Sequence, residues 1–130
     1  MRVFIADDHA AFRNALAQLV QSHPGLKVCG EAVDGLDAIH EIDRLQPDLI
    51  ILDINMPRMD GFTAAKEIRK LLATPILFIS VQADAEMSLA AKECGGQGLI
   101  AKRSLATSLL PALEALRAGK TFFNGHDPLS

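Results

Sequence analysis

The chain has 130 residues, of which 49% are apolar and 22% charged, and its net charge is -3. That length gives one domain with a core of its own, and the composition excludes a disordered or collagen-like chain. The acidic balance argues against nucleic-acid binding by this chain alone, and apolar runs of only about four or five residues exclude a membrane-spanning helix.

Met1-Arg2-Val3-Phe4-Ile5-Ala6 is stopped at once by Asp7-Asp8. It is too short for a signal peptide and reads as a strand. Further short apolar runs follow at Leu26 to Ala32, Leu49-Ile50-Ile51-Leu52, Pro75 to Ile79 and Leu99-Ile100-Ala101. Most are rich in Val, Ile or Phe, as strands buried on both faces are. Helical patterns lie between them. Phe12, Ala15, Leu16, Leu19 and Val20 form an apolar stripe at helical spacing. Similar stripes run through Ala38, Ile39, Ile42 and Leu45, then Phe62, Ala65, Ile68 and Leu72. Two more use Met87, Ala90, Ala91 and Cys94, and Leu109, Ala112, Leu113 and Leu116.

Asp34 and Asp84 are placed to cap the second and fourth helices. Gly95 and Gly119 stand where a helix would end in a left-handed residue. Pro111 predicts a late start for the last helix, near Thr107 or Ser108, so that the proline falls in the first turn. Cys29 and Cys94 show no metal-ligand spacing and are expected to be buried free thiols, which fits a cytoplasmic protein. Five strand–helix units in strict alternation predict an α/β fold, a parallel sheet with helices on both faces. Ligands of such sheets bind at the carboxyl ends of the strands.

Polar residues stand at those ends: Asp7 and Asp8, Asp53, Ser80 and Lys102. Taken singly each has an ordinary explanation. A lone Asp is commonly a cap, Asp7-Asp8 could cap the first helix, and Lys102 could be a solvated lysine. Together they deliver three carboxylates, a hydroxyl and an ammonium to one rim. Crowded carboxylates repel and raise one another's pKa values. A hard divalent cation such as Mg²⁺ relieves that repulsion through oxygen ligands. Lys102 could pair with Asp53 at rest and with phosphoryl oxygens later, and Ser80 could donate to them. An aspartate so placed can act as nucleophile on a phosphoryl group and form an acyl phosphate.

The run Asp53-Ile54-Asn55-Met56-Pro57-Arg58-Met59-Asp60-Gly61 resembles the phosphorylation loop of response-regulator receiver domains, the CheY-like family. Asp7-Asp8-His9, Glu31-Ala32-Val33-Asp34-Gly35, and Gly95 to Lys102 resemble other segments of that family. The resemblance covers about residues 2 to 119. It implies a flavodoxin-like, five-stranded sheet in the order 2-1-3-4-5. It also implies that Asp53 accepts a phosphoryl group from a sensor histidine kinase or a small donor such as acetyl phosphate. Asp8, Asp53 and the backbone carbonyl of Asn55 would bind Mg²⁺ (or Mn²⁺), with Asp7 acting through water. Lys102 would contact the phosphoryl group and Ser80 would be the switch hydroxyl.

Ile5-Ala6-Asp7-Asp8-His9, Phe12-Arg13 and Ala118-Gly119 look most like the NarL/LuxR-type regulators, which carry a helix-turn-helix output domain. About eleven residues follow Gly119, too few for such a domain. The expectation is therefore a receiver over 1–120, with 121–130 as a tail or the start of a linker, either a stand-alone receiver or, the favoured reading, one drawn from a longer DNA-binding regulator. A homodimer is a possible partner state, with no membrane contact.

Two positions depart from the family. Leu99 stands where an aromatic residue is frequent, and Val81 is bulkier than the usual neighbour of the switch hydroxyl, so Val81 is expected to crowd the pocket. His9 could act as an acid or a metal ligand, but the preferred reading is a solvated residue at the start of a helix, and Met56 and Met59 are read as packing residues. An aspartyl phosphatase would want a second carboxylate where this chain has Asn55. A pure interaction module would not need the complete rim.

Overall fold

The computed structural model describes residues 1–123, and 124–130 lie outside the described part. The strands are β1 (Arg2–Ala6), β2 (Lys27–Ala32), β3 (Leu49–Asp53), β4 (Ile76–Ser80), β5 (Gly98–Ala101) and β6 (Phe122–Phe123). The helices are α1 (Ala10–Gln21), α2 (Gly35–Leu45), α3 (Gly61–Arg69), α4 (Ala85–Glu93) and α5 (Leu105–Arg117). All strand pairs are parallel, in the order β2-β1-β3-β4-β5-β6. The order expected for the first five is the observed one. β3 and β4 are buried along their whole length, which is why they read as unbroken apolar runs.

The pleat divides the core in two. Phe4, Ile50, Leu52, Phe78 and Leu99 join one cluster, with Ile42, Ile68 and Ala91 from α2, α3 and α4. Val3, Ile5, Ile51, Leu77, Ile79 and Ile100 join the other, with Leu16 and Val20 from α1 and Leu109 and Leu113 from α5. In α1 the stripe is rotated slightly from expectation, with Ala17 buried and Ala15 exposed. Asp34 and Asp84 cap α2 and α4 by accepting from Asp37 and Met87 N–H, and Asp60 does the same for α3 with Thr63. Gly95 and Gly119 are left-handed, as expected.

Three expectations need correction. First, α5 begins at Leu105, directly after a 3-10 turn over Lys102–Ser104, so Pro111 lies in the helix interior. An interior proline costs about 3 kcal/mol in an isolated helix. Here it is exposed, and so is Thr107, whose carbonyl loses the bond. The earlier start buries Leu105 and Ser108, and apolar burial offsets part of the cost. Second, β6 extends the sheet where a tail was expected. Phe122 and Phe123 pair with Gly98 and Leu99, and the Lys92 ammonium lies 4.7 Å from the Phe123 ring centre. The rest of that predicted tail or linker, 124–130, is outside the described residues. Third, Cys94 is buried but Cys29 only half-buried. Burial pushes both thiols up, so neither is an activated thiolate.

Candidate functional site

The register of the parallel strands assembles the rim. Ala6 pairs with Leu52, so Asp7 and Asp53 leave neighbouring strands side by side. Asp53 pairs with Ile79, and Ser80 with Ala101, which brings the first residue past β5, Lys102, to the same edge. Residues 22 to 95 positions apart thus meet through backbone pairing. The next residues turn away sharply. Gly61, at the start of α3, leaves no room for a Cβ, which would lie against the Asp53 carbonyl oxygen and 2.8 Å from the Ile54 Cα. Gly61 N–H donates to the Ile54 carbonyl at 2.8 Å, so the loop closes tightly behind Asp53.

Asp7 and Asp53 are both buried, and Lys102 Nζ sits between them, 3.0 Å from Asp7 Oδ2 and 3.1 Å from Asp53 Oδ2. Asp7 Oδ1 accepts from His9 N–H at 2.8 Å, and Asp53 Oδ1 from Asn55 N–H at 3.2 Å. Asp7 therefore closes the turn before α1, while His9 is the N-cap residue and makes no side-chain cap. Ser80 is buried at the β4 end, where its hydroxyl oxygen accepts from Gln82 N–H at 3.3 Å. Asn55 is exposed just beyond Asp53.

Burial pushes the Asp53 carboxyl above the usual carboxylate range, the Asp7 charge adds to the push, and the Lys102 ammonium opposes both without cancelling them. For Lys102, burial disfavours the charge. Its hydrogen bonds to Asp7 and Asp53 and their charges outweigh that, and its pKa is raised. A consequence for stability follows by linkage. Between the ordinary carboxylate pKa and the raised one, the native state binds more protons than the unfolded state. The Asp53 contribution to stability is therefore greatest in acid and is lost as pH rises through that window. Metal-free Asp53→Asn should be more stable than the wild type at neutral pH, with the gap closing in acid. Urea midpoints at several pH values check this; a less stable variant at neutral pH would contradict it.

The rim fits a hard cation. One carboxylate oxygen each of Asp7, Asp8 and Asp53 and a His9 ring nitrogen lie within 4.8 Å of one another. Asp7 Oδ2 is fully buried and has no well-aligned hydrogen bond, only the ion pair with Lys102. An acidic oxygen in that condition is suited to a cation or its bound water.

Of two further residues at the site, sequence reasoning weighs His9 and reads it as solvated, and assigns Arg13 no role. His9 is 68% exposed, as expected of a solvated residue, yet its Nδ1 lies 3.2 Å from Asp8 Oδ1 and 3.5 Å from Asp7 Oδ1. Adjacency to the acidic pair was the available signal. Arg13, one helical turn later, donates to the Asp7 carbonyl at 2.8 Å and to Glu31 at 2.9 Å, tying the β1 end to α1 and β2. Val81 is 64% exposed beside Ser80 at the β4 end, and Leu99 is fully buried in the Phe78 cluster.

Fold and rim together define a doubly wound α/β module with an acidic, cation-ready site at the carboxyl ends of β1, β3 and β5. Residues 3–114 match the response regulator receiver domain, and the chain belongs to that family. It is 40% identical to protein-glutamate methylesterase/protein-glutamine glutaminase 2 of Photobacterium profundum over 105 residues, 79% of this chain and 27% of that protein. A Pyrococcus abyssi protein of the same activity name is 40% identical over 111 residues, 84% of this chain and 30% of that one. The chain thus spans less than a third of these curated relatives. A LuxR-family two-component response regulator from Aurantimonas sp. SI85-9A1 superposes with a TM-score of 0.91 at 30% identity, covering 95% of this chain and 89% of that one. The response regulator domain of Thermotoga maritima CheB gives 0.82 at 32%, covering 88% and 93%. The receiver is therefore that of a two-component response regulator. Among the described residues no helix is long and apolar enough to cross a membrane.

Proposed function

We propose that Asp53 is the phosphoacceptor of this receiver and that a histidine kinase is its donor. The observation that carries this is the buried Asp53 carboxylate held 3.1 Å from the Lys102 ammonium beside the Asp7 and Asp8 acids. An Asp53 oxygen forms the new bond to phosphorus as the bond to the donor imidazole nitrogen breaks, and the imidazole leaves neutral or takes a proton. Lys102 follows the negative charge from the carboxylate to the phosphoryl oxygens. Ser80 can turn its hydroxyl from Gln82 N–H to donate to one of them. Asp8 and Asp53, with the Asn55 carbonyl, would hold Mg²⁺ (or Mn²⁺), and Asp7 would hold a bound water. When bound, the ion supplies positive charge against the carboxylates and the phosphoryl oxygens.

Incubation with acetyl phosphate and Mg²⁺, read by intact-mass spectrometry, tests the proposal. One phosphoryl group is expected on the wild type and none on Asp53→Asn. Equal labelling of the two would reject Asp53.

Phosphorylation would then shift a two-state equilibrium and alter contacts with a partner or a second copy. The likeness to LuxR-family regulators supports a DNA-binding output. The higher identity to the methylesterases supports a second reading, control of an ester-cleaving domain. DNA binding and glutamyl methyl-ester hydrolysis by the product of the intact gene separate the two.

A further inference from the structure

Phe12 belongs to the apolar stripe of α1 and packs at the edge of the core under that face. It also does something a core residue need not do. The Lys102 ammonium lies over its ring, 4.6 Å from the centre. An ammonium has three donors. One donates to Asp53 Oδ2 at 3.1 Å, Asp7 Oδ2 lies against the ammonium as an ion pair at 3.0 Å, and the aromatic face covers a third side. With its side chain only 14% exposed, Lys102 is held almost entirely by these groups rather than by solvent.

We propose that Phe12 is a positioning residue for Lys102, its ring face keeping the ammonium at the rim while the anions around it change. This rests on the phosphoacceptor reading of Asp53. During transfer, one Asp53 oxygen becomes an ester oxygen and its charge passes to the phosphoryl group. Asp7 must also turn toward a cation or its water. Both carboxylate anchors of Lys102 therefore alter together. The flexible four-carbon stem would then be free to explore other rotamers. The Phe12 ring is fixed on α1 and its attraction for a cation depends on neither anchor. Leucine or methionine would preserve the packing at this place and lose the π-face.

The test uses the full chain with acetyl phosphate and Mg²⁺. Phe12→Leu and Phe12→Met should each lower the labelling rate at saturating donor by about fivefold, the size of a partly desolvated cation–π contact. Phe12→Tyr should stay within about twofold of wild type. An unchanged rate in Phe12→Leu, or an equal loss in Phe12→Tyr, overturns the proposal. A second measurement needs no variant. In the metal-free wild type the ε-methylene protons of Lys102 should be shifted upfield by the ring, and an ordinary lysine position would overturn the placement. If the wild type takes no label, the phosphoacceptor reading fails and this inference falls with it. If the wild type is labelled and Phe12→Leu behaves identically, only this inference fails.

Discussion

Lys102→Met is expected to slow phosphoryl transfer to Asp53 by about a hundredfold or more, the usual cost of removing one preorganised positive partner from a developing anion. Its ammonium is the basic group seen against both Asp7 and Asp53. Methionine keeps most of the stem and removes only the charge. Two buried carboxylates then face each other without their counter-ion, and breaking a buried pair in this way typically costs about 3 to 5 kcal/mol. Some of that is recovered if Asp53, already raised by burial and by Asp7, holds its proton to higher pH. Cation binding should respond in the opposite sense. The ammonium occupies Asp53 and Asp7 oxygens that the proposed metal would use directly or through water, so Mg²⁺ should bind the variant at least as tightly as the wild type. Transfer rates and calorimetric Mg²⁺ titrations on the same preparation separate these effects. A transfer rate within threefold of wild type, or loss of Mg²⁺ binding along with it, would remove Lys102 from its proposed role.

Gly61→Ala should be the most damaging small substitution near the site. The added methyl would meet the backbone of Asp53 and Ile54, with no flexible side-chain end among its three nearest atoms to yield. Either α3 moves off the sheet or the end of β3 shifts. A loss of about 3 kcal/mol, at the upper end for overpacking, is expected. The functional effect should exceed the thermodynamic one. The displaced atoms are the Asp53 backbone itself, so the carboxylate would lose its register with Lys102 and Asp7. A urea midpoint lowered by the corresponding amount, together with weak labelling in conditions where the variant is fully folded, is the expected outcome. A variant as stable as the wild type would show that the loop has slack the close approach denies.

The stability effect expected of Asp53→Asn and the rate effect expected of Lys102→Met share one cause. The rim holds more negative charge than the fold alone would favour. Asp7 and Asp53 are buried next to each other, and a single lysine compensates two carboxylates. Without a cation this arrangement is costly, and a bound cation, or the proposed phosphoryl group carrying charge away from Asp53, would relieve that cost.

Much of this was readable in the linear chain because two kinds of signal are local. Strand and helix periodicity placed the first five strands and five helices, since Leu49-Ile50-Ile51-Leu52 can be nothing but buried and α2 carries its own Asp34 cap. The acids and the lysine were identifiable because each directly follows an apolar run, and a parallel sheet puts all such endings at one edge. Pairing distances were not readable, nor was the start of α5. Pro111 argued for a late start on local grounds, and burial of Leu105 against the sheet outweighed it. Phe122 and Phe123 carried too short a pattern to predict β6, which forms because the open edge of β5 supplies its hydrogen bonds. His9, Phe12 and Arg13 each looked like an ordinary residue of a helix start or an apolar stripe. Their roles exist only because α1 packs against β1, β2 and α5, which sets His9 and Arg13 beside the β1 end and brings Phe12 under an ammonium 90 positions away in sequence. Residue type and spacing therefore determined which chemistry the chain carries. Which groups touch, and so which charges are balanced and which are not, was decided by packing between segments that no local pattern relates.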